Sequence, residues 1–119
     1  MPYVDGFVLP VPRAKLSEYF RISRKAGRVW MKYGALEYRE CAGDDLRAPG
    51  MRPFGKTVDA RRNETVVFSW IVYKSRRDRD RINAKVMKDP EMNKMMEGGT
   101  MPFDMSRMAY GGFKVRVDL

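Results

Sequence analysis

The chain has 119 residues, of which 44 % are hydrophobic and 33 % charged, with a formal net charge of +9, no histidine and one cysteine. That balance describes one packed domain over residues 1–119 rather than a disordered chain, and no apolar run approaches the roughly 18 residues that span a bilayer. The absence of histidine excludes a Ser-His-Asp triad, a Cys-His dyad, a facial triad and a His-ligated haem within the chain, while the lone Cys41 excludes an internal disulfide. Met1 to Gly6 lack the basic start and long apolar core of a signal peptide, so the cytoplasm is the expected location.

In chain order, Tyr3 to Val11 is rich in aromatic and β-branched residues and predicts a strand ended by Pro10 and Pro12. Leu16, Tyr19, Phe20, Ser23, Ala26, Trp30 and Tyr33 then recur at three- and four-residue spacing, the stripe of an amphipathic helix that Gly34 caps. Ala35 to Ala42 alternates as a second strand, with Leu36, Tyr38 and Glu40 on one face. The segment from Gly43 to Gly55, punctuated by glycine and proline, predicts a long loop. Thr57 to Arg61 is expected to form a short strand turning at Arg62-Asn63, an extra hairpin arm before the strong strand Thr65 to Tyr73.

Ser75 followed by Asp78 marks the capped start of a second long helix, with Ile82 and Val86 on its inner side. The charges Arg76, Arg77, Asp78, Arg79, Asp80 and Arg81 alternate in sign, which describes a solvated, salt-bridged face rather than a surface for a polyanion. Asp89-Pro90 restarts the chain as a short helix bearing Met92, Met95 and Met96, stopped by Gly98-Gly99. A loop from Thr100 to Asp104 leads to a last strand over Arg107 to Val117, in which Gly111-Gly112 predicts a bulge or a close approach.

This order is strand, helix, strand, strand, helix, strand: a ferredoxin-like βαββαβ two-layer α+β fold with a four-stranded antiparallel sheet. Two helices cover one sheet face, yet the third strand is apolar on both. A second subunit on the open face, making a homodimer, is the expected cover.

Five clusters carry a family resemblance: Tyr3 to Val8, Glu40 to Asp45, Val66 to Ile71, Met101 to Asp104 and Arg107 to Phe113. Together they resemble the YbaA-like bacterial proteins, a family of unknown function, over essentially the whole chain. The resemblance implies a dimeric α/β barrel in which two ferredoxin-like sheets pack face to face in the cytoplasm. It brings no catalytic residues with it. The wider superfamily includes cofactor-free monooxygenases, isomerases, decarboxylase-like enzymes and haem enzymes; haem members usually depend on a proximal histidine, which this chain lacks, so that branch is disfavoured and no cofactor is expected.

Such barrels hold ligands between sheet and helices, which makes polar groups on strands the candidate site. Asp5, Glu40 and Tyr110 are the candidate catalytic groups, with Asp5 or Glu40 as a general base raised by burial. The competing role for Asp5 is a structural ion pair with an arginine such as Arg107. Tyr38, Trp70, Met101 and Phe103 are the candidate ligand contacts, the last two on a loop suited to a lid. Cys41 fits a small packed side chain better than a nucleophile, and Asp44-Asp45 fits a solvated loop better than a metal site. The function expected is small-molecule binding with cofactor-free oxygenase- or isomerase-like chemistry, or a non-catalytic ligand- or protein-binding dimer. RNA binding is disfavoured because Val67-Phe68-Ser69-Trp70 lacks the basic, glycine-containing context of an RNA-recognition strand. A sheet–helix interior filled solidly by Trp30, Phe68 and Trp70 would leave no room for a ligand.

Overall fold

A computed structural model describes residues 1–98 and 101–119. Strand β1 spans Tyr3–Pro12, helix α1 Leu16–Lys32, β2 Glu37–Ala42, a single turn of helix α2 Phe54–Thr57, and β3 Glu64–Tyr73. Helices α3 (Arg76–Met87) and α4 (Pro90–Glu97) follow, and β4 (Ala109–Lys114) closes the chain of elements. The four strands form one sheet in the order β2-β3-β1-β4, antiparallel throughout. The fold is therefore the expected ferredoxin-like α+β arrangement, with the helices layered on one face.

Local chemistry explains most boundaries. Ser75 accepts a hydrogen bond from the Asp78 N–H and starts α3, and Asp89 accepts from the Glu91 and Met92 N–H groups to start α4 with Pro90 in its first turn. Gly34 leaves α1 at φ +115, in the left-handed region that a side chain resists. Pro10 does not end β1. Pairing with β4 stops at Val8, so the strand continues to Pro12 against β3 alone, where proline is tolerated.

Three further expectations change. No strand forms at Thr57 to Arg61; the chain makes the α2 turn there, its Ala60 N–H donating to the Gly55 carbonyl, so the hairpin arm does not exist. Arg107 lies in a short 3₁₀ turn rather than in β4, held there by Glu64 and Asp104. The β1–β4 register runs without a bulge, and the two glycines instead permit close approach: a Cβ on Gly112 would lie 2.8 Å from the Tyr3 ring. The expected stop at Gly98-Gly99 is described only at Gly98, which follows α4; Gly99 and Thr100 lie outside the described residues.

The pleat sorts the side chains. Tyr3, Asp5, Phe7, Leu9 and Val11 of β1 share the helix-facing side with Val67, Ser69, Ile71 and Tyr73 of β3 and with Tyr38 and Glu40 of β2. One core packs Ile82 and Val86 of α3 on Ile71, Tyr73 and Val29, and a second gathers Leu9, Val11, Tyr19 and Val67. Burying each such aliphatic side chain contributes about 1.5–3 kcal/mol. On the other face Val66 is buried and Phe54 of α2 packs on Phe68, but Phe68 stays 42 % exposed and Trp70 and Val72 are half-buried, so the C-terminal half of β3 is left largely uncovered there.

Candidate functional site

Between the two cores, under α1 and α4, the sheet and helices leave a cavity of about 280 Å³. Tyr19 of α1, Tyr38 and Glu40 of β2 and Ser69 of β3 line it, and Met101 and Phe103 close it from the loop before β4. Most of the remaining wall is methionine and aromatic, the soft and adaptable surface that suits an apolar guest. Its volume sits near the lower end of the range that small-molecule sites occupy, roughly 300–1,000 Å³. Trp30 and Trp70 border this space, but the Trp70 ring packs on Phe68, which is 42 % exposed on the other side of the sheet, so the three do not fill the interior.

Glu40 is the polar centre of the cavity. The Tyr19 hydroxyl donates to its Oε1 at 2.8 Å and the Tyr38 hydroxyl to its Oε2 at 2.7 Å. No ion pair reaches Glu40 among the described residues. Burial accordingly pushes its carboxyl above the ordinary glutamate range, against the opposing effect of hydrogen bonds from Tyr38, Tyr19 and Ser69. Burial, and then the Glu40 charge, push both tyrosine hydroxyls up as well. They remain donors at any physiological pH. The group is a carboxylate held by neutral hydrogen-bond donors in apolar surroundings, which favours proton transfer over ion pairing.

Asp5 and Tyr110 belong to a different cluster. The Tyr110 hydroxyl donates to Asp5 Oδ1 at 3.0 Å, and Arg79 Nη1 lies 3.3 Å from the same oxygen and 2.8 Å from the Tyr110 hydroxyl. Tyr73 donates to Asp5 Oδ2 at 3.1 Å. Asp5 is thus a saturated, buried structural acceptor at the end of the sheet, and its cation is Arg79. Arg107 instead makes a two-pronged pair with Glu64 at 2.6 and 2.7 Å, which holds the Glu64 carboxyl down at about 2. Trp70 borders the cavity, but its polar tip is engaged elsewhere: the ring packs on Phe68, and the indole N–H donates to Glu37 Oε1 at 2.8 Å.

Tyr38, Glu40, Met101 and Phe103 therefore meet in one site, which Trp70 borders from β3, whereas Asp5 and Tyr110 form a second cluster. Sequence reasoning missed Tyr19 as a polar partner, taking it only as a stripe residue. It also read Arg79 as part of a solvated face. Its spacing with Ile82, Asn83 and Val86 (i, i+3, i+4, i+7) is the signal that places it on the inner side of α3.

Residues 2–105 match the family model described as a protein of unknown function (DUF1428). The chain belongs to this family. It is 44 % identical over 118 residues to the uncharacterized protein YbaA of Escherichia coli (strain K12) and, equally, to that of Shigella flexneri, covering 99 % of each pair of chains. Among solved structures it is similar to SnoaB, a cofactor-independent oxygenase from Streptomyces nogalater, with a TM-score of 0.63, 12 % identity and coverage of 99 % of this chain and 96 % of that one. An uncharacterized NIPSNAP domain protein from Burkholderia xenovorans superposes with a TM-score of 0.60 at 12 % identity, over 95 % and 93 % of the two chains. At these identities the likeness establishes the shared fold. No helix of the described residues is long and apolar enough to cross a membrane.

Proposed function

We propose that this DUF1428 protein binds the apolar body of a small molecule in the helix–sheet cavity and that Glu40 removes an acidic proton from a carbon of that molecule. One observation carries the reading: a half-buried carboxyl with two tyrosine donors and no counter-ion among the described residues, on the wall of a largely apolar cavity. The proton passes from carbon to the Glu40 carboxylate, and the electron pair left behind spreads into the ligand's own conjugated carbonyl. Return of that proton to another carbon completes an isomerisation; transfer of electrons from the ligand anion to dioxygen begins an oxygenation. Both need no cofactor from the protein. The shared fold with a cofactor-independent oxygenase supports this reading without assigning a substrate.

The test is native mass spectrometry of the purified chain, followed by transfer into deuterated water. A small molecule should co-purify and take up deuterium at carbon on the parent protein, with the exchange slowed at least tenfold in Glu40→Gln. A crystal structure in which the methionines close the cavity completely would overturn the proposal. The competing reading, a non-catalytic binding module, predicts a retained ligand with no Glu40-dependent exchange.

The open side of the sheet supports a second part of the proposal, that two copies pair through it. Val4, Val8, Phe68, Trp70 and Val72 form a continuous apolar surface there with Phe113, which is 62 % exposed. Exposed apolar area of that kind marks an association surface, and a second copy supplies the same rings in return.

A further inference from the structure

Beyond the cavity, α1 and β2 enclose a second, open groove of about 800 Å³ along the free edge of the sheet. Ser23, Tyr38 and Glu40 border both spaces, which makes the groove a vestibule to the site. Gly27 is what brings the two walls together: a Cβ there would lie 2.6 Å from the Tyr38 ring, so α1 rests its backbone on that ring. The α1 rim of the vestibule carries Arg24 and Arg28, one turn apart and both exposed. Neither makes a side-chain hydrogen bond or an ion pair among the described residues.

The helix itself does not offset their charge. Arg21, Arg24, Lys25, Arg28 and Lys32 stand on α1 against the single acid Glu18, and Arg24 and Arg28 repel each other at i,i+4 spacing. Arg39, on the neighbouring strand, also lines the groove, but it stands on the opposite parity of β2 from Tyr38 and Glu40 and lies 3.8 Å from Glu37. The acids of this groove are already engaged, Glu37 by Arg39 and the Trp70 indole N–H and Glu40 by two tyrosine hydroxyls, so two unpaired guanidinium groups on its α1 rim are suited to planar recognition of an oxyanion. We infer that the ligand of the Glu40 cavity is an anion whose carboxylate, sulfonate or phosphate group is held by Arg24 and Arg28 in the vestibule while its apolar body enters past Ser23. The inference rests on the cavity reading above and adds to it the class of ligand and the direction from which it enters.

The experiment compares two fluorescent probes that differ by one charged group, 8-anilinonaphthalene-1-sulfonate and the neutral N-phenyl-1-naphthylamine. The parent should bind the sulfonate at least tenfold more tightly. Arg24→Gln combined with Arg28→Gln should remove that tenfold advantage and leave the neutral probe within twofold. Arg21→Gln combined with Lys25→Gln removes the same net charge from the side of α1 that faces α4, and should leave both affinities in place. Equal affinity of the parent for the two probes, or equal loss in the two double variants, overturns the inference while binding of the neutral probe leaves the cavity reading standing. Ser23→Leu narrows the passage from vestibule to cavity and should weaken both probes, with circular dichroism confirming the fold. Unchanged binding of both in Ser23→Leu puts them on the open sheet face and overturns the two readings together.

Discussion

Glu40 decides how the site responds to pH. Its carboxyl is raised because burial costs the charged form more than the two tyrosine donors restore. A group whose folded-state pKa lies above its unfolded one contributes stability that is complete below the unfolded value, near 4.5, and is lost as pH rises through the raised one. Glu40→Gln, which stays neutral and keeps a hydrogen-bond acceptor, escapes that loss. Its stability relative to the parent should therefore increase as pH rises above the ordinary glutamate value of 4.5 and through the raised one, measured by urea unfolding at each pH. Tyr38→Phe works in the opposite sense on the ionisation itself. It removes a donor that favours the carboxylate, so the Glu40 carboxyl, followed by carbon NMR, should titrate at still higher pH. An unchanged titration in Tyr38→Phe would mean that the hydroxyl does not hold the carboxylate. Glu40 was legible in the sequence because an acid on the inward parity of a strand must find partners. The partner of Asp5 was not, because a run of alternating arginines and aspartates does not show which one the helix turns inward.

At the scale of elements, the site depends on how closely α1 lies on β2. Gly27 is buried, and a methyl group there would meet the Tyr38 ring at 2.6 Å. Gly27→Ala gains up to about 1 kcal/mol of helix propensity and loses about 1–3 kcal/mol to overpacking. The ring is flanked by Trp30, whose centroid is 6.1 Å away, and has little room to retreat. The balance falls on the side of destabilisation, by up to about 2 kcal/mol in urea unfolding. Displacement of Tyr38 should also raise the Glu40 titration as Tyr38→Phe does, which ties the helix contact to the site. A more stable variant with an unshifted Glu40 would show that the ring yields freely. The long elements were readable because helix and strand periods differ and each runs through several repeats. The α2 turn was not, since four residues hold no complete period and Thr57-Val58 has the composition of a strand. Continuous apolar character in β3 likewise hid the face on which Trp70 stands; only the register with β1 and β2 resolves it.

The whole molecule is a slab, 39 × 38 × 20 Å, with the long helices on one broad side and a sheet only partly covered, by Phe54 of α2, on the other. The βαββαβ order could be read from the sequence, and so could the apolar character of both sides of the third strand; a second copy is the cover proposed for the open side. A standard stable interface takes about 800 Å² from each partner, and a face of these dimensions can supply it. Phe68, Trp70 and Phe113 would meet their copies across a twofold axis, each ring contributing apolar burial at about 25 cal/mol per Å². The chain should therefore run in light-scattering chromatography at twice its own 13.9 kDa. Phe113→Glu places a charge in the middle of that contact, where it has no counter-ion and loses its water. Phe113 is 62 % exposed in the single chain, so this change spares the chain's own core. The variant should run at the monomer mass with an unchanged circular dichroism spectrum. If the parent is already monomeric at micromolar concentration, or Phe113→Glu still runs as a dimer, the open face serves another partner or the copies meet elsewhere.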